Sequence, residues 1–213
     1  MTKTTRFCFV RHGETDWNAQ RRYQGQLDVA LNATGEWQAR ALGDALAAHD
    51  FAAACTSDLS RAARTAELAL GGRCAVSPRL CFRERHYGVF QGLTPDEART
   101  VHPEAHAHFV ARSTDYDFET GETLTDFAAR VQDGAEAMAR EFAGRSVVVF
   151  THGGVLDVLH RLASGRDLAA PRDFAIPNAG INWLRRDDDG WRIDVWGDTR
   201  HLLKRDSLDE LVR

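Results

Sequence analysis

Two apolar runs that end in the same way constrain this chain most. Phe7-Cys8-Phe9-Val10 leads directly into Arg11-His12-Gly13-Glu14-Thr15, and Ser146-Val147-Val148-Val149-Phe150 leads into Thr151-His152-Gly153-Gly154. Short apolar runs flanked by polar residues read as buried strands. Gly13 lets the backbone turn sharply where the first strand stops. In open α/β sheets, ligands bind beyond the carboxyl ends of parallel strands. Two strands that each end in a histidine and a glycine therefore predict one site built from both ends.

The rest of the chain alternates apolar runs with helical patterns, which predicts an α/β fold: a three-layer α/β/α sandwich around a mostly parallel sheet. Strands are expected at about Arg6–Val10, Ala52–Thr56, Cys74–Ser77 and Ser146–Phe150, with a final pair at Ile181–Arg186 and Trp191–Trp196 joined through Asp187-Asp188-Asp189-Gly190. Thr34 is expected to cap a helix reaching about His49. Asp58–Leu70 reads as a helix closed by Gly71-Gly72. The clearest helix is Glu122–Phe142, where Leu124, Phe127, Ala128, Val131, Ala135, Met138 and Phe142 recur at helical spacing. A further helix is expected from Gly154 to about Ala163. Residues 80–121 are less regular and read as a variable cap over the active edge. With no linker or internal repeat, residues 1–213 read as one domain.

The 213 residues suffice for a sizeable core. A formal net charge of −4 leaves no basic footprint for nucleic acid or an anionic membrane. Cys8, Cys55, Cys74 and Cys81 form no Cys-x-x-Cys pair, and no signal peptide or membrane-length apolar run is present. These features point to a reducing cytoplasm. A monomer or a homodimer is compatible with all of this.

Arginine offers planar, bidentate donors that fit a phosphate, and a histidine beside it can act as nucleophile or proton carrier. Arg61 falls on the first turn of its predicted helix, where the N-terminal field adds to its charge. Taken alone, a strand-end histidine is usually structural and a helical arginine usually forms a surface ion pair.

Four ordered motifs change that balance. Arg11-His12-Gly13-Glu14-Thr15 with Trp17-Asn18, Ser57-Asp58-Leu59-Ser60-Arg61-Ala62 with Thr65-Ala66, Glu84-Arg85-His86-Tyr87-Gly88 with Gln91-Gly92, and Thr151-His152-Gly153-Gly154 resemble the histidine phosphatase superfamily, which includes the phosphoglycerate mutases. The resemblance covers nearly the whole chain and implies a phosphoglycerate mutase-like fold. It implies that His12 is the nucleophile, that His152 stabilises the transferring phosphoryl group, and that Glu84 is the general acid. Arg11, Asn18, Gln24, Gly25, Arg61 and Gly153 are implied phosphate contacts. His12 must be neutral to attack, and His152 stabilises charge if it is protonated; a cationic and a neutral histidine fit one pocket if their surroundings push the two pKa values apart. The alternative for Glu84 is an ion pair with Arg83 or Arg85. For Asn18 and Gln24 it is a loop cap.

The implied reaction is phosphomonoester hydrolysis on a small phosphorylated metabolite, with no metal and no cofactor. A phosphoglycerate mutase is the alternative, with 2,3-bisphosphoglycerate as its cofactor, because Glu84–Gly92 looks close to the cofactor-dependent mutases. Against it, Thr94-Pro95-Asp96-Glu97 has no lysine, and Ala111-Arg112-Ser113 lacks the paired arginines that grip a glycerate carboxylate. Gln24 and Gly121-Glu122-Thr123 also resemble the phosphatase branch. A non-catalytic phospho-ligand binder is a third reading. His102, His106 and His108 include a spacing that can bind zinc on a helix. No nearby Cys or His-Glu-x-x-His supports that, and substrate contact from the cap is the other reading.

Overall fold

The computed structural model describes residues 4–203. Six strands form one sheet: β1 (Thr5–Arg11), β2 (Ala53–Thr56), β3 (Val76–Pro78), β4 (Ser146–Thr151), β5 (Ile181–Asp187) and β6 (Gly190–Asp198). Their order is β3-β2-β4-β1-β5-β6. The pairs β1–β4, β2–β4 and β2–β3 are parallel, while β1–β5 and β5–β6 are antiparallel. The sheet is thus mixed and mostly parallel, as expected.

Alternation along the strands makes the three layers. Phe7 and Phe9 of β1 point to one face with Val147 and Val149 of β4, all fully buried. Two helices cover that face, α6 (Leu124–Glu141) and α7 (Gly153–Ser164), through Phe127, Val131, Ala135, Met138, Leu156 and Leu159. Cys8, Val10, Val148 and Phe150 point to the other face. There α2 (Ala33–Ala47) and α3 (Ser60–Leu70) bury Leu42, Leu46, Ala66, Ala69 and Leu70.

Several boundaries move. Asn32, not Thr34, caps α2: its side chain accepts from the Gly35 N–H at 2.8 Å and donates to the Glu14 carboxylate at 2.9 Å. Thr34 falls inside the first turn. Helix α6 starts two residues late, at Leu124, because Thr123 accepts from the Asp126 N–H as its cap. Strand β3 is shifted to Val76–Pro78, so Cys74 precedes it. The loop after β1 contains a short helix, α1 (Asp16–Ala19), held by a reciprocal capping box between Thr15 and Asn18.

The cap contains α4 (Pro95–Val101) and α5 (Pro103–Val110). It gathers a small core of its own from Phe90, Ala98, Ala105 and Phe118, with Tyr23, Tyr87 and Phe109 packed against it. Among the described residues, no helix is long and apolar enough to cross a membrane.

Candidate active site

The chain leaves β1 at Arg11 and β4 at Thr151, which are register partners. The next residue on each side is a histidine. The His12 and His152 rings lie 5.3 Å apart, centre to centre, and both are buried, with 3% and 0% of their surface exposed. A chamber of about 130 Å³ opens onto His12 and is lined by Arg11, Asn18, Arg22, Tyr23, Gln24, Gly25, Arg61, Glu84 and Tyr87. All the residues expected from the sequence therefore meet here except His152 and Gly153. His152 lies behind His12, and Gly153 lines the adjoining outer pocket beside Arg11.

Hydrogen bonding distinguishes the two histidines. His12 Nδ1 lies 2.7 Å from the Gly13 carbonyl. A carbonyl only accepts, so Nδ1 carries the proton and Nε2 keeps its lone pair. His152 Nε2 lies 2.8 Å from Ser57 Oγ, an oxygen that also accepts from the Leu59 N–H at 3.3 Å. A serine hydroxyl can give or accept the contact with Nε2, so the bond to Ser57 is compatible with either neutral tautomer of His152. Burial, with Arg61 and Arg11 close by, pushes His12 well below the usual histidine value. Burial, Arg61 and His12 do the same to His152. Burial first, and then the positive neighbours, depress both.

Arg61 is 1% exposed and has no carboxylate partner among the described residues. Its Nη1 donates to the Leu27 carbonyl and its Nη2 to the Gly25 carbonyl, at 2.8 and 2.7 Å, so it also shapes the loop that walls the chamber. Burial pushes it down to about 10. Arg11 donates from Nη1 to the Ile176 carbonyl at 2.5 Å. Asn18 Oδ1 is occupied by Thr15 and Asn178, which leaves its NH2 for the chamber. Gly25 has φ +55, a conformation that suits glycine, and a Cβ there would lie 2.1 Å from the Gln91 side chain.

Four buried polar atoms around these residues have no partner among the described residues: Arg11 Nε, Arg61 Nε, Gln24 Oε1 and His152 Nδ1. Buried polar groups are normally paired. The two arginine nitrogens are donors, and His152 Nδ1 is one in the tautomer whose Nε2 accepts from Ser57. Rotation of the Gln24 amide adds its NH2 to them. The set fits a tetrahedral oxyanion.

Glu84 closes the chamber on the side of the outer pocket. Its Oε1 accepts from the Arg85 N–H and its Oε2 from the Gly154 N–H of α7, at 2.8 and 2.9 Å. Neither neighbouring arginine pairs with it: Arg83 pairs with Asp58, and Arg85 donates to the Glu122 and Tyr116 carbonyls. Beyond Glu84, Arg11 and Tyr87, the chamber continues into a pocket of about 610 Å³ under the cap.

Sequence reasoning missed Ser57, Arg22, Tyr23 and Tyr87. Ser57 was visible only as a neighbour of Arg61, since its partner His152 is 95 residues away. The histidine cluster does not converge. His102 faces Glu119, and His108 stacks on Tyr116 at 4.1 Å while bonding to Ser113. Among the described residues, no group of three or more His, Cys, Asp or Glu could hold a metal ion.

Residues 7–199 match the family model of the histidine phosphatase superfamily, branch 1. Phosphoglycerate mutase-like protein 4 of Arabidopsis thaliana is 39% identical over 198 residues, covering 91% of this chain and 85% of its own. The metal-independent phosphoserine phosphatase of the same plant is 36% identical, covering 94% and 84%. Among solved structures, Bacillus stearothermophilus YhfR superposes with a TM-score of 0.86 at 32% identity, covering 93% of this chain and 99% of its own. With its paired strand-end histidines and arginine-lined chamber, the chain belongs to the histidine phosphatase superfamily.

Proposed function

We propose that the chain hydrolyses small phosphomonoesters through a phosphohistidine at His12. The observation that carries this reading is the Nδ1 contact of His12 with the Gly13 carbonyl, which leaves an unprotonated Nε2 next to unpartnered arginine donors. In the first half-reaction the Nε2 lone pair attacks phosphorus. The P–N bond forms as the ester P–O bond breaks, and Glu84 in its acid form protonates the departing oxygen. Arg11, Arg61, Asn18 and His152 Nδ1–H donate to the equatorial oxygens as charge builds there. Water then attacks the phosphohistidine, Glu84 takes its proton, the P–N bond breaks, and orthophosphate leaves. The side chains supply the positive charge that a metal provides elsewhere, so neither metal nor cofactor is required. The four cysteines are free, which supports a reducing compartment such as the cytoplasm.

The test is hydrolysis of p-nitrophenyl phosphate with acid and alkaline quench. The wild type is expected to turn over undiminished in EDTA and to trap an acid-labile, alkali-stable phosphoenzyme. His12→Ala is expected to lose both. Near wild-type turnover in that variant, or loss in EDTA restored by a divalent ion, ends the reading. Formation of 2-phosphoglycerate from 3-phosphoglycerate only when 2,3-bisphosphoglycerate is added selects the mutase instead.

A further inference from the structure

The connection between α7 and β5 holds Arg11 by a main-chain carbonyl, and that carbonyl has a support of its own. Arg11 Nη1 donates to the Ile176 carbonyl at 2.5 Å. The carbonyl of the preceding residue, Ala175, accepts from the indole Nε1 of Trp196 on β6 at 2.8 Å. Adjacent peptide units thus take one bond from β1 and one from β6. No helix or strand runs between Ser164 and Ile181, so side-chain contacts fix the path of this segment. One residue earlier, the Phe174 ring stacks on His160 of α7, with 3.6 Å between centres, and meets the Trp196 ring edge-on at 5.8 Å. The Trp196 ring also meets His160 edge-on at 4.6 Å. Trp196 lines neither the inner chamber nor the outer pocket.

A guanidinium grips an oxyanion best through a pair of parallel N–H groups on one edge. The Ile176 bond takes Nη1 and leaves the side edge, Nε with Nη2, for a ligand. Nε is buried there without a partner among the described residues. An arginine released from that carbonyl would regain rotamer freedom that binding must then remove. We propose, resting on the phosphatase reading, that Trp196 is a positioning residue for Arg11. Its indole N–H, with its ring against Phe174, fixes the Ile176 carbonyl that aims the Nε–Nη2 edge at the phosphoryl group. His12 is held separately: its carbonyl accepts from the Ala179 N–H at 3.2 Å and from Asn178 Nδ2 at 3.0 Å. Loss of the indole bond therefore falls on Arg11.

The experiment is a double-mutant cycle between Trp196→Phe and Arg11→Ala, read as the affinity for orthovanadate by titration calorimetry. Phenylalanine keeps a ring against His160 and Phe174 and removes only the N–H. In the wild-type background, Trp196→Phe is expected to weaken vanadate binding about threefold to tenfold, the range of one hydrogen bond, and to raise KM for p-nitrophenyl phosphate in step. In the Arg11→Ala background the same substitution is expected to leave vanadate affinity unchanged within about twofold, because coupled residues are not additive. Equal weakening in both backgrounds overturns the proposal, since a general support of the fold acts with or without Arg11. No weakening in the wild-type background overturns it as well. Should Trp196→Phe fail to fold, Phe174→Leu, which loosens the same segment without removing its hydrogen bonds, runs the cycle in its place with the same deciding outcomes. A wild type that neither binds vanadate nor turns over p-nitrophenyl phosphate overturns the phosphatase reading itself, and the proposal with it.

Discussion

Glu84 holds the position where side-chain chemistry is most exposed to test. It lines both the inner chamber and the outer pocket, where the proposed reaction has the ester oxygen depart. A proton donor matters most when that oxygen is basic, and such help is typically about 10²–10⁴-fold. Glu84→Gln is expected to lower kcat far more on glycerol 3-phosphate than on p-nitrophenyl phosphate; equal losses would mark a binding or structural role. The two histidines make a second prediction. Their unfolded-state value is about 6.5, and both are pushed down in the folded protein. Below that pH the unfolded chain binds more protons than the folded one, so stability rises with pH in this window and is lost as pH falls. Thermal midpoints are expected to drop from pH 7 to pH 5, with a shallower slope in His152→Gln; a flat profile in wild type contradicts the assignment. His12, Arg11, Arg61 and His152 were legible in the sequence because each stands at a strand end or on a first helical turn. Tyr87 was not, since nothing local marks a cap tyrosine that only tertiary folding brings to the chamber.

Helix α2 shows how an element, rather than a side chain, positions His12. Its first turn lies directly against the loop after β1. A Cβ on Gly35 would sit 2.0 Å from the Glu14 carbonyl oxygen, and one on Gly13 would sit 2.4 Å from the Gly35 carbonyl oxygen. Backbone on both sides leaves no flexible atom to yield. Gly35→Ala gains up to about 1 kcal/mol of helix propensity, but overpacking costs about 1–3 kcal/mol and displaces the loop that carries His12. Urea titration is expected to show a lower midpoint at unchanged slope, together with reduced turnover. An unchanged or raised midpoint would show that the loop and helix separate easily. Elements with strong periodicity, such as α6 and the strands β1 and β4, could be read from the sequence to within about two residues. The cap helices α4 and α5 could not be placed, because seven- and eight-residue segments give too few turns for a pattern. The α2 cap was misplaced because Asn32 and Thr34 are both competent, and only the Asn32–Glu14 contact decides between them.

Whether the whole molecule melts as one unit depends on how its cores are connected. Strands β1 and β4 supply residues to the cores on both faces of the sheet, so neither core can be lost while the other stays intact. A single calorimetric transition is expected, with calorimetric and van't Hoff enthalpies equal; two resolved transitions would divide the chain into domains. The cap has its own small core and should exchange its amides at lower free energy than the sheet. The register of the two central strands has a consequence of another kind. Arg11 pairs with Thr151, and the His12 N–H donates to the Thr151 carbonyl at 2.9 Å. The separation of the two histidines is therefore a backbone spacing, common to parallel strands everywhere and about 4.8 Å between neighbours. A lineage that rewrites its cap leaves that distance untouched. The spacing of the two histidines and the lining of the outer pocket can thus diverge independently.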